Sequence, residues 1–208
     1  MNIEKIQNLY SELIDTAQLN EWQRGYRETI NHVNIFRKKI ESGSKINPDH
    51  DKEFLSKLLK DKTNGVASRG QSTLKNDHFD LFINNSNFLG LVEKLILIPT
   101  HINHLNFRSY CKERLAELKT TQVSLIFNRA TASCTLDLCP VVDELKFKKL
   151  FHYLRKQGLL NVSSVENQDW YIQNKFIAEQ FKIALPNKDT YLTNILPWLI
   201  YQKEFENK

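Results

Sequence analysis

Disulfides, long apolar runs and catalytic signatures are all missing from this sequence. Cys111, Cys134 and Cys139 are an odd number in no C-x-x-C arrangement, which argues against a disulfide framework and for reduced, buried thiols in a cytoplasm. The most apolar run, 88–99, contains Glu93 and Lys94 and falls short of the roughly 20 residues that span a bilayer. No basic and apolar leader opens the chain, so neither secretion nor membrane insertion is expected. Six glycines and five prolines are scattered without repeat or low-complexity tract.

The motifs of phosphate-binding loops, zinc proteases, serine hydrolases and kinases are likewise missing. Pro48-Asp49 followed by Asp51-Lys52-Glu53 reads as a helix start rather than a nuclease centre. The carboxylates are scattered, whereas general acid–base work needs two converging groups. No enzymatic activity, cofactor or metal is therefore expected. His101, His104 and Cys111 are of ligand type but lack a fourth partner at a suitable spacing.

What is present is helical periodicity in a chain of 41% hydrophobic content. Ile3, Ile6, Leu9, Tyr10, Leu13 and Ile14 mark a first helix, and 21–42 a second with Trp22, Tyr26, Ile30 and Val33 inward. Further helices are expected after the cap Asp49 with Leu55, Leu58 and Leu59 inward, from Asn76 or Asp77, over 87–98 capped by Ser86, over 102–118 and 121–130, and over 144–157 capped by Asp143. In the segment 102–118 the expected apolar positions are Leu105, Tyr110, Leu115 and Leu118. Residues 159–172 read either as a small β-hairpin or as a turn followed by a helix capped by Asp169, the helix being favoured by Ile172, Phe176, Ile177 and Phe181. A last helix covers 191–205 despite Pro197. The fold class is all-α, a multi-helix domain in two lobes, 1–118 and 119–208, because periodicity weakens between 118 and 139.

One segment, 63–72, is not explained by helix packing. Asn64-Gly65 is a turn dipeptide, and Gly70 allows a second close approach of backbone. With Ser68, Arg69, Gln71 and Ser72 the loop has the groups that hydrogen-bond phosphates and base edges, while a tight buried connection between helices would use the same small residues. The second helix carries Arg24, Arg27, Arg37, Lys38 and Lys39, a basic face interspersed with Glu21, Glu28 and Glu41. The net charge of +5 and pI near 9.0 favour an anionic partner modestly. A separate possibility is the end of a winged helix-turn-helix over 143–172, with Lys146, Lys148, Lys149, Arg155 and Lys156 available for phosphates.

Gly25-Tyr26-Arg27-Glu28-Thr29, the stretch 64–71, Ile126-Phe127-Asn128-Arg129, Val142-Asp143-Glu144-Leu145-Lys146-Phe147 and Asp169-Trp170-Tyr171 follow one another in an order that resembles the region preceding the AAA+ motor in McrB-like subunits of modification-dependent DNA restriction systems. The resemblance covers most of the chain from Tyr26 to Trp198. It departs from whole subunits in having no Walker A lysine, Walker B acid or arginine finger. It implies a targeting or adaptor role, with nucleotide hydrolysis residing elsewhere. The expectation is a non-catalytic DNA-binding domain of a bacterial restriction or defence system. Arg69, Ser68, Gln71, Lys38 and Lys39 are its candidate contacts, and Asn64, Gly65 and Gly70 shape the loop. The alternative is an interaction module docking on an AAA+ GTPase or ATPase motor or on a nuclease subunit.

Overall fold

The structure is a computed structural model that describes residues 1–14, 17–68, 70, 74–118 and 124–206. It is all-α. In order it runs α1 (Ile3–Leu13), α2 (Ala17–Glu41), α3 (Pro48–Leu59), α4 (Asn76–Ile83), α5 (Ser86–Leu97), α6 (His101–Glu117), α7 (Ser124–Ala132), α8 (Glu144–Lys156), α9 (Trp170–Ala184) and α10 (Thr190–Tyr201). A 3-10 turn, Ser163–Val165, precedes α9, and a π-helical turn, Gln202–Glu206, follows α10. No described helix is long and apolar enough to cross a membrane.

Local chemistry accounts for most helix ends. The Asp143 carboxylate accepts from Leu145 N and Lys146 N, and Asp169 from Ile172 N, satisfying donors that have no partner within their helices. The second cap also settles residues 159–172. Trp170, Tyr171 and Ile172 form the first turn of α9, as the favoured reading expects, and the alternative hairpin, with the winged motif it would complete, is not formed. Among the described residues the only β contact is an isolated bridge between Thr63 and Ser68. Two caps lie one or two positions before the expected ones. Asn47 rather than Asp49 caps α3, with Pro48 in its first turn, and Asn85 rather than Ser86 caps α5.

The described chain divides into two compact units whose limits differ from the sequential lobes 1–118 and 119–208. The first comprises Met1–Arg24 with Leu136–Lys208, and the second Gly25–Thr135, the cut falling within α2. In the first unit α1, α8, α9 and α10 pack together around Ile6, Phe147, Leu150, Leu154, Trp170, Ile177, Phe181 and Ile195. Trp170 Nε1 donates to Val141 O at 3.0 Å, and Asn194 Nδ2 to Leu136 O at 2.8 Å and Leu138 O at 3.2 Å, so the irregular approach to α8 is tied down by side chains.

The second unit is built on an aromatic and aliphatic core in which Phe88 meets Phe82 at 5.0 Å between ring centres and Phe107 at 5.8 Å, and Phe107 meets Phe127 edge-on. The inward face of α6 is His104, Phe107, Cys111 and Leu115, so of the expected set only Leu115 is buried, while Leu105 and Tyr110 are half-buried and Leu118 is exposed. α7 is the interior helix of this unit, with every residue from Ile126 to Ala132 buried.

Candidate nucleic-acid interface

In the connection between α3 and α4, residues 64–67 turn polar groups inward. Asn64 is fully buried: its Nδ2 donates to Ser133 Oγ at 2.8 Å, while its Oδ1 accepts from Val66 N at 3.1 Å and Ala67 N at 3.2 Å. Its carbonyl accepts a hydrogen bond from the Thr29 hydroxyl on α2. Gly65, at φ +80°, lies against α2 so closely that a Cβ there would stand 2.2 Å from Gly25 O. Only glycine meets both conditions.

Beneath the loop is Arg129 of α7, wholly buried. Its Nη1 donates to Asp61 O at 2.8 Å and Ala67 O at 3.4 Å. A guanidinium taken out of water is tolerated where carbonyl oxygens replace the lost solvent. Ser133 Oγ, which receives Asn64, itself donates to Arg129 O at 2.8 Å, so loop and helix close a polar network inside the unit. In the sequence Arg129 stands out only as part of the stretch Ile126-Phe127-Asn128-Arg129. Its signal there is a lone charge in 124–134, where its neighbours are otherwise apolar or small and uncharged.

The outer limb differs. Ser68 is exposed, its Oγ accepting from Gly70 N at 3.1 Å, and Gly70 has φ +56° with no atom within 4 Å of a Cβ position. Gly70 therefore serves the turn's backbone conformation, and the close approach expected of it is made at Gly65 alone. Arg69 and Gln71 lie outside the described residues, as does Ser72.

The basic residues of α2 separate by role. Arg37 is turned inward, its Nε donating to Ile96 O at 2.7 Å, Nη2 to Cys134 O at 2.8 Å and Nη1 to Asn34 Oδ1 at 2.6 Å. Lys39 is held by Asp51 at 2.8 Å, a buried carboxylate that also accepts from Asn47 N. Lys38 is exposed beside Asn31, Asn34, Ile35 and Glu41, which line a shallow depression. Since the loop crosses α2 at Gly25, Lys38 stands thirteen residues, about 20 Å, further along the axis. The fold does not bring Lys38 and Ser68 into one contact spot.

No chemistry is poised in the cysteines. Burial pushes the Cys134 and Cys139 thiols up to about 12, and raises that of Cys111 too, so all three are neutral thiols. His104 is buried with Nδ1 2.8 Å from Thr131 Oγ1, and among the described residues no three His, Cys, Asp or Glu stand close enough to share a metal ion.

Charge is divided unequally between the units. The second has 17 Lys and Arg against 11 Asp and Glu, a net of +6, whereas the first has 12 against 13, a net of −1. No family model, curated protein or solved structure matches this chain.

Proposed function

We propose that the protein is a non-catalytic DNA-binding module that serves a bacterial restriction or related defence system as its targeting part. The observation that carries this reading is the charge of the second unit, +6 over Gly25–Thr135. An excess of this size attracts a polyanion through the summed field rather than through one pocket. The sequence likeness to the region before an AAA+ motor supplies the system. Lys38 and Ser68 are exposed contacts on this unit, and Arg69 and Gln71 extend the second of them in sequence.

The test is a gel-shift series with a mixed-sequence duplex at falling salt concentration. Binding that weakens with a log–log slope of about −0.9 per neutralised phosphate is expected. No shift at low salt would contradict the reading. Incubation with DNA and magnesium is expected to leave the substrate uncut.

Docking on a motor or partner subunit is the second reading. It is favoured by Ile98 and Ile102, 59% and 61% exposed at the turn between α5 and α6 of the same unit. Loss of partner capture by Lys38→Glu with Arg69→Glu, at undiminished DNA affinity, would support it.

A further inference from the structure

The first unit is almost neutral, yet its charge is not evenly spread. Between Glu144 and Glu166 the sequence has no acid and five Lys or Arg, which leaves 7 cations against 13 acids over the rest of that unit. The acid-free stretch begins with α8. At 100° per residue, Phe147, Leu150, Phe151 and Leu154 fall on one side of this helix, and all four are buried. Leu145, Lys148, Lys149, His152 and Lys156 fall within an arc of about 100° on the other side, and all five are exposed.

The remaining cations of α8 are engaged. Lys146 is ion-paired to Glu206 and stands over the rings of Trp198 at 4.9 Å and Tyr201 at 5.4 Å. Arg155, at the edge of the arc, is paired with Glu166. No carboxylate among the described residues pairs with Lys148, Lys149 or Lys156. The structure thus removes Lys146 and Arg155 from the basic set that the sequence offers and leaves a stripe of three lysines and a histidine about 12 Å long.

We infer that this outer face of α8 is a second nucleic-acid contact, which lies along a phosphodiester backbone through Lys148, Lys149 and Lys156. Charge complementarity selects this occupant. A duplex carries one negative charge per about 1.7 Å of axis, so a stripe of this length always has several phosphates in reach of its lysines. A membrane surface is a poorer match. A helix lying on lipid buries an apolar face in it, whereas the apolar face of α8 is spent in the protein core and Leu145 is the lone apolar residue outside. The inference deepens the DNA-binding reading, but its chemistry is that of the phosphodiester strand, which DNA and RNA share.

The experiment compares the wild-type chain, a Lys148→Ala/Lys149→Ala/Lys156→Ala variant and a Lys175→Ala/Lys182→Ala/Lys188→Ala control. The control loses the same charge from the same unit but from α9 and the turn after it. Affinities for a DNA duplex and an RNA duplex of equal length are measured between 50 and 200 mM salt. The α8 variant is expected to have a slope shallower by about 2.7, so that the wild type loses roughly 40-fold more affinity than the variant across that range. The control is expected to keep the wild-type slope.

An α8 variant with the wild-type slope overturns the inference and leaves the DNA-binding reading standing. A control that loses as much slope as the α8 variant also overturns it, because net charge alone would then explain the effect. If RNA alone is bound and the α8 variant loses that binding, the inference holds and DNA targeting does not. A wild type that binds neither duplex, or that binds only anionic phosphatidylserine vesicles, sinks both.

Discussion

The connection at 61–68 and the outer face of α8 are both rich in hydrogen-bonding side chains, and they use them in opposite directions. In the first, Asn64 is fully buried and spends its amide on Ser133, Val66 and Ala67, while Arg129 holds the loop's carbonyls from below. In the second, three lysines stand in water opposite a buried apolar stripe. A run of Asn, Gly and Ser shows only that backbone groups need partners, and those partners can be inside. An acid-free run of lysines on one helical arc does indicate direction, because ammonium groups cannot be left unpaired in a core. Changes in the connection should therefore cost stability, and changes on α8 should cost binding.

The largest effect is expected at Gly65. Alanine there meets Gly25 O and must hold φ near +80°, which should destabilise the protein by about 3–5 kcal/mol in urea unfolding. A Gly65→Ala protein of unchanged stability would break the comparison on the loop side. Arg129→Met removes the buried guanidinium and leaves the carbonyls of Asp61 and Ala67 without their donor. A loss of about 3 kcal/mol is expected by the same measurement. Asn64→Ala takes away the bonds to Ser133, Val66 and Ala67 and should lower stability by about 2 kcal/mol.

On the other side the effects on folding shrink. Asp143→Ala removes the cap of α8 but none of its lysines. Thermal unfolding should show a loss of about 1 kcal/mol, with the salt slope of binding kept. Lys148→Ala should change stability by less than about 0.5 kcal/mol, since this side chain is exposed and unpaired among the described residues.

Helix existence was largely legible because it is written locally. Asp143 and Asp169 cap where they were expected to, Pro48 stands in the first turn of α3, and Gly158 at φ +64° follows the last turn of α8. Facing was less legible where both sides of a helix carry apolar residues. α6 buries His104, Phe107 and Cys111 rather than Leu105 and Leu118, because α5 and α7 select its inward side and no local pattern encodes them. The grouping of helices was illegible for a similar reason. α1 packs on α9 and α10, at the far end of the chain, so the division into units follows long-range pairing rather than a break in periodicity near 118.

The candidate contacts show the same limit. Lys38 and Lys39 are neighbours in sequence, yet one is exposed and the other held by Asp51. Buried polar partners such as Asp51, Ser133 and Arg129 are what direct a side chain inward, and they come from distant positions.

The most direct test places the two regions side by side. The salt dependence of duplex affinity is measured for Asn64→Ala, at a temperature where it is fully folded, and for Lys148→Ala/Lys149→Ala/Lys156→Ala. The account predicts the wild-type slope for the first and a slope shallower by about 2.7 for the second. A shallower slope in Asn64→Ala together with an unchanged one in the α8 variant would contradict it.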